Sequence, residues 1–353
     1  MRHPVLALVG VTLATVLLME CGTLVAVESG WLDSERPDYG TQRYWQGNHE
    51  RFGVWRHPNT RTRHQSECFD VDYRSNAIGA RDIERSRDTR VPRVVVLGDS
   101  FLGGWGVTAG DRLSNRLEAS TGIEHINLAM AFFGPYQELI VYRELARDYS
   151  HDAVLVGLLP ANDFVDIDLE QARIELDYQY LYRPYLVGDP PDYTHLDLEE
   201  PPLRRGLRDI SYLFNALLSL ASRQALAANR DPEEAEFPSW YYDYSETQVA
   251  RLDEILRRLS HAAAGKTLVV LLIPTAQDFT RFDHSGPAPL SRHLSRLSEQ
   301  EGFVVVDLLP AMAQRTSERS RFFFPCDYHW SPLGNRVAAE LVERALATTL
   351  YAR

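Results

Sequence analysis

The sequence predicts an α/β protein: a three-layer α/β/α sandwich on a five-stranded parallel sheet in flavodoxin-like order, with a mainly helical insertion. Three observations lead there. Five short runs are almost continuously apolar, as strands covered on both faces must be. Segments of helical spacing separate them, which gives a βαβ succession with right-handed crossovers. Turn residues close the runs, and in such sheets a functional site lies at the carboxyl ends of the strands.

In chain order, Pro4 to Val27 comes first, an apolar stretch long enough to cross a bilayer as a helix, with Arg2 and His3 before it and only Glu20 charged within it. It is apolar on every face, which argues against a buried helix of a soluble domain. The run exceeds a usual signal-peptide core and lacks a clean small-x-small site. An uncleaved membrane anchor is therefore the expectation, with the rest of the chain outside the cytoplasm, periplasmic or extracellular. The alternative is secretion after cleavage near Ala26. Leu18-Met19-Glu20-Cys21 resembles a lipoprotein site only superficially, because Met19 and Glu20 stand where small residues belong.

Residues 1–30 thus form the anchor or signal segment, 31–92 an extended lead-in, and 93–353 the main domain with an insertion at 164–245. In the lead-in, the alternation of Cys68 to Tyr73 suggests a short edge strand, and Ser75 to Asp82 carries turn chemistry. Strands are expected at Val94–Leu97, His125–Ala129, Ala153–Leu158, Thr267–Ile273 and Phe303–Leu308. Helices are expected at Asp111–Ser120, Pro135–Tyr149, Glu246–Ala264, Pro289–Glu301 and Pro332–Ala347. The insertion holds Tyr178, Tyr180, Tyr182 and Tyr185 among prolines, an amphipathic helix from Leu203 to Leu226, and an acidic turn at Asp231 to Glu236. A long insertion after a site-bearing strand is a usual place for a lid or a substrate-binding wall. Its tyrosines either stack on sugar rings or simply pack the insert onto the domain.

Composition is ordinary for a globular chain of 353 residues, 44% hydrophobic and 24% charged. A net charge of −12 argues against a nucleic-acid partner. His125, His151, His195, His261, His284 and His293 show no paired metal spacing, so neither a metal nor a cofactor is expected. Asp163, Asp166 and Asp168 read as a solvated acidic loop, with a cation site as the weaker alternative. Outside the first segment the cysteines are Cys68 and Cys326, which in an oxidising compartment either pair or remain free thiols.

The candidate site begins where Val94–Leu97 stops at Gly98-Asp99-Ser100, a strand ending in a tight turn that carries a hydroxyl. A lone serine is a weak nucleophile and needs a base. Asp327, two residues before His329 and just ahead of a predicted helix, supplies that arrangement. A carboxylate on one imidazole nitrogen fixes the tautomer and leaves the other nitrogen for the serine proton.

With these residues the chain from Arg93 onward resembles the SGNH, or GDSL-type, hydrolase superfamily. Four blocks match it in order. Gly98-Asp99-Ser100 resembles the nucleophile block, with Asp99 stabilising the turn. Asn127 to Gly134 resembles the block whose glycine amide lines the oxyanion hole; Phe132 stands at the position of that glycine and Gly134 two residues on, so either amide can serve. Pro160-Ala161-Asn162-Asp163 resembles the Gly-x-Asn-Asp block, in which the asparagine side chain donates to the oxyanion, with Ala161 in place of glycine. Asp327 and His329 form the last. Their Asp-x-His-Trp spacing is similar to that of alginate-type O-acetyltransferases, although there it precedes the serine block.

The resemblance implies catalysis by Ser100, His329 and Asp327, and an oxyanion site made by the Ser100 amide, Asn162 and Phe132 or Gly134. It implies a serine ester hydrolase acting on small acyl groups such as acetyl. The compartment points to an acylated carbohydrate of the envelope or a secreted glycan as substrate. An O-acetyltransferase using the same residues is the alternative. A glycan-binding module that has lost catalysis is a third reading, supported only by Phe132 and Ala161.

Overall fold

A computed structural model describes residues 4–34, 36–37, 46–174, 183–198, 201–229 and 239–350. Tyr178, Tyr180, Tyr182 and the acidic turn Asp231 to Glu236 lie outside the described residues. The chain divides into two compact units: Tyr44–Leu169 with Tyr182–Leu198 and Glu234–Arg353, and Met1–Arg43 with Glu170–Leu181 and Glu199–Glu233.

The larger unit is built on five parallel strands: Arg93–Leu97 (β1), Glu124–Asn127 (β2), Ala153–Leu158 (β3), Thr267–Leu272 (β4) and Val304–Asp307 (β5). Their spatial order is β5-β4-β3-β1-β2. This is the flavodoxin-like order expected, reversing direction between β1 and β3. Val95 of β1 lies opposite Ile126 on one side and Val154 on the other, and both β1 and β3 are buried along their whole length. That double covering is why these runs lack a polar face.

Helices Leu113–Thr121, Pro135–Glu144, Glu246–Ala262, Pro289–Glu301 and Pro332–Leu346 occupy the expected places. The second stops at Glu144, short of Tyr149, and a single 3-10 turn Ala146–Asp148 follows. The helix Ala276–Ser285 is additional; Thr275 and Asp278 form its capping box and Gly286, at φ 73°, ends it.

The edge strand expected at Cys68 to Tyr73 belongs to a different structure. Asp70–Arg74 pairs antiparallel with Arg61–Gln65 in a separate hairpin, not with the main sheet. Its partner Arg61–Gln65 has no apolar alternation to betray it, and cross-strand pairs Arg63–Asp70 and Arg61–Asp72 hold the hairpin instead. A second hairpin joins Gln46–His49 to Gly53–Arg56, and a third joins Arg183–Val187 to Thr194–Leu198.

In the smaller unit the helix expected from Leu203 to Leu226 is two helices, Pro202–Ile210 and Tyr212–Asn229. Ser211 separates them with extended backbone, φ −122° and ψ 116°. The first helix of the chain runs from Pro4 to Glu28, and its segment Ala7–Glu28, of mean hydropathy 2.0, is long and apolar enough to cross a membrane. By length and composition it fits a signal segment or an anchor alike.

Candidate active site

β1 delivers its last residue, Leu97, to a turn in which Asp99 caps the short helix Ser100–Gly103: the Asp99 Oδ1 accepts the Phe101 amide at 2.9 Å. Ser100 is thereby presented at the strand's carboxyl end. Its Oγ lies 2.7 Å from Nε2 of His329. The other ring nitrogen, Nδ1, pairs with Asp327 Oδ1, which also accepts the His329 backbone amide at 2.9 Å. The two residues are held by a turn in which the Phe324 amide donates to the His329 carbonyl at 3.0 Å. Ser331 then caps the helix Pro332–Leu346 through the Gly334 amide. Serine and histidine, 229 positions apart in the chain, and the aspartate two residues before the histidine meet in one hydrogen-bonded line.

Burial alone would raise the Asp327 carboxyl. The hydrogen bond and charge of His329, with the donors around it, bring it down to about 2. It therefore stays ionised across the whole range in which an imidazole changes charge, and holds the proton-bearing nitrogen of His329 toward itself. Nε2 is left as the acceptor facing Ser100.

Trp105, which nothing in the sequence reading marks, completes this arrangement. Its indole N–H donates to the second Asp327 oxygen at 2.9 Å, and its ring stacks on His329 with centroids 5.0 Å apart and planes 22° from parallel. Phe101 also packs on the imidazole, at 5.1 Å. The loop carrying Trp105 is clamped by the buried guanidinium of Arg81, which donates to the carbonyls of Gly103, Gly104 and Val107 at 2.8, 2.6 and 2.6 Å. The only available signal was position: a tryptophan five residues after the serine, among Gly103, Gly104 and Gly106.

The lead-in hairpin supports the same loop. His64 meets the edge of Trp105 at 4.4 Å, and its Nδ1 lies 2.8 Å from the Tyr73 hydroxyl, which accepts the Gly106 amide at 2.7 Å. Burial lowers His64 to about 4, with Asp327 pulling the other way and Arg81 adding to the fall, so this imidazole is neutral at physiological pH. Cys68 and Cys326 are disulfide-bonded, with Cα atoms 5.8 Å apart, which ties the hairpin to the residue preceding Asp327. A bond closing 258 positions restricts the unfolded chain strongly. We expect Cys68→Ser to cost about 2–5 kcal/mol, read as a lower denaturant midpoint with a steeper slope, since the unfolded chain expands once the cross-link is gone; an unchanged midpoint would contradict this.

Of the oxyanion candidates, Asn162 Nδ2 donates to Asp99 Oδ2 at 3.2 Å and keeps a second N–H. The Gly134 amide donates to Gln137 Oε1 at 3.2 Å, closing the cap of the helix Pro135–Glu144. Phe132 remains. It has φ 72°, a left-handed conformation that glycine adopts freely and a bulky residue adopts at a cost. The backbone therefore has the shape that glycine would adopt freely at this position, and the side chain is 36% exposed. The Phe132 carbonyl accepts from the buried Arg183, which also pairs with Asp166, and these contacts hold the turn. Gly134 permits the close approach, since a Cβ there would sit 2.5 Å from the Asp166 Cβ.

The acidic run expected in solvent is buried instead: Asp163 and Asp166 are 1% and 4% exposed. Asp99 and Glu138 are buried with them. Asp163 accepts the Leu159 amide at 2.6 Å and Asp166 pairs with Arg183, whereas neither Glu138 oxygen has a partner among the described residues. Burial raises Asp99 to about 6, its hydrogen bonds opposing; burial and the neighbouring carboxylates raise Glu138 and Asp163 well above their usual range. These groups hold protons in the folded state that the unfolded chain releases. The resulting stability is present at low pH and lost as pH rises through the folded values. We expect the melting temperature of Glu138→Gln to fall less between about pH 5 and pH 8 than that of the parent. Parallel curves would contradict the assignment.

Residues 237–353 match the family model described as ALGX, the SGNH hydrolase-like domain of acetyltransferase AlgX. No curated protein matches the chain. Similar solved structures include a lipase/acylhydrolase from Enterococcus faecalis, at 13% identity and TM-score 0.41, covering 72% of this chain and 95% of that one. A G-D-S-L family lipolytic protein from Veillonella parvula matches at 10% identity and TM-score 0.40, over 73% and 100%. A carbohydrate esterase family 2 enzyme from Corynascus thermopiles matches at 11% and 0.37, over 75% and 68%. Likeness at this level bears on neither substrate nor mechanism. The family match, by contrast, runs through the Asp327-x-His329-Trp330 turn that the fold delivers to Ser100, and residues 237–353 are accordingly similar to an SGNH hydrolase-like domain, of the type that hydrolyses or transfers acyl groups.

Proposed function

We propose that Ser100 is the nucleophile of an esterase that removes small acyl groups, acetyl foremost, from a carbohydrate. The observation that carries this is the 2.7 Å approach of Ser100 Oγ to His329 Nε2, with Nδ1 held by an ionised Asp327. His329 takes the hydroxyl proton as Oγ attacks the ester carbonyl. The imidazolium then returns that proton to the departing alcohol oxygen as the C–O bond breaks. Water attacks the acyl-serine, giving its proton to His329, and the acid leaves as Ser100 is re-protonated. The negative oxygen formed in each half is met by the Ser100 and Phe132 amides and by Asn162 Nδ2.

The N-terminal helix, read as an anchor, and the Cys68–Cys326 disulfide both favour a site outside the cytoplasm, where the available esters are envelope or secreted glycans. A second reading is favoured by the family match: a sugar hydroxyl replaces water in the second half, and the enzyme is an O-acetyltransferase. Incubating the purified full chain with an activated acetyl ester, with and without oligosaccharide, separates the two. Free acetate in both conditions supports hydrolysis, and acetylated sugar supports transfer. Asn162→Ala should lower turnover by about 10²–10³ with the fold intact; full activity in that variant would remove Asn162 from the oxyanion site.

A further inference from the structure

Two helices of the smaller unit turn large apolar side chains outward and bury polar ones. On the helix Pro202–Ile210, Leu203, Leu207 and Ile210 lie at i, i+4 and i+7 and are 77%, 38% and 62% exposed, while Asp209 is buried. On the next helix Leu217 and Leu220 are 55% and 47% exposed, while Asn215 and Ser219 are buried. In water an apolar stripe faces the core; an outward stripe over buried polar groups suits an apolar surrounding.

A second observation says which surrounding. Glu20 is the one acid or base between Pro4 and Val27, and a carboxylate inside a bilayer requires partners. It has them: the Ser211 hydroxyl at 2.7 Å and the amides of Tyr212 and Leu213 at 2.6 and 3.1 Å. The start of the helix Tyr212–Asn229 therefore lies about 12 Å below the end of the helix Pro4–Glu28, eight residues at 1.5 Å each. At that end the Tyr212 hydroxyl donates to Glu28, which also pairs with Arg36, a polar cluster fit for a membrane interface.

We propose that the helix pair Pro202–Ile210 and Tyr212–Asn229 is a second membrane contact, set into the outer leaflet of the bilayer that Pro4–Glu28 spans, with Leu203, Leu207 and Ile210 among the acyl chains. This rests on reading the first helix as an uncleaved anchor. The insertion is then a lipid-binding element rather than a lid.

The test uses the full chain in phosphatidylcholine–phosphatidylglycerol vesicles, with Cys21→Ser and one added cysteine carrying an environment-sensitive fluorophore. Sites are Leu203→Cys, Leu207→Cys and Ile210→Cys, with Val16→Cys in the first helix and Glu299→Cys on the exposed face of Pro289–Glu301. Lipids bearing doxyl groups on their acyl chains are the quencher. The proposal expects loss of fluorescence at 203, 207 and 210 comparable to that at 16, and none at 299. Quenching at 16 without quenching at the other three overturns the proposal and leaves the anchor standing, as would be found if a protein partner covered this face. No quenching at 16 overturns the anchor and the proposal together.

Discussion

Ser100→Ala is expected to reduce turnover of an activated acetyl ester by on the order of 10⁶ while leaving the melting temperature almost unchanged. The size follows from the chemistry: with no nucleophilic oxygen at the end of β1 there is no acyl-enzyme, and His329 alone can only activate water. The small stability effect follows from the structure, because the Asp99 cap of the short helix uses the Phe101 amide and not the serine side chain. Turnover within tenfold of the parent would place the nucleophile elsewhere.

Asp327→Asn should cost on the order of 10⁴ in kcat with little change in KM. Its carboxylate makes three contacts: His329 Nδ1, the His329 amide and the Trp105 indole. An amide cannot accept at both oxygens, so it either loses the indole or turns its NH2 toward Nδ1. In the latter case Nδ1 becomes the acceptor and the ring proton moves to Nε2, where it opposes proton removal from Ser100. Asp327 also stabilises the fold above its ordinary carboxylate range, a contribution lost only as pH falls toward about 2. The asparagine variant gives up that contribution at neutral pH, so its melting temperature should fall, and kcat is read on protein shown to be folded. A fall in kcat no larger than tenfold would mean that His329 is oriented by something other than Asp327.

What the sequence made legible, and what it did not, divides along physical lines. Strands buried on both faces leave unbroken runs such as Val94–Leu97 and Ala153–Leu158, and helices bounded by Pro or Gly, such as Pro289–Glu301, leave period and punctuation together. These elements fall where the sequence puts them. Ser100, Asp327 and His329 were readable because each sits at a strand end or loop with short-range company. Trp105, His64, Tyr73 and Arg81 were not, since their roles come from long-range contact: Trp105 meets Asp327 across 222 positions, and Arg81 clamps the loop at 103–107 through backbone carbonyls that have no sequence signature. The acidic run misled for a related reason. Asp163 and Asp166 look solvated by composition, yet backbone amides and Arg183 bury them. The Gly134 amide bonds the Gln137 side chain, a local contact that the glycine alone does not announce.

The most direct test of the central claim, a serine activated through His329 and Asp327, is fluorophosphonate labelling of the full chain followed by peptide mapping. The label should fall on Ser100 alone, and should be lost in His329→Ala while that variant keeps its fold. Labelling at another serine, or equal labelling of Ser100 without His329, would contradict it.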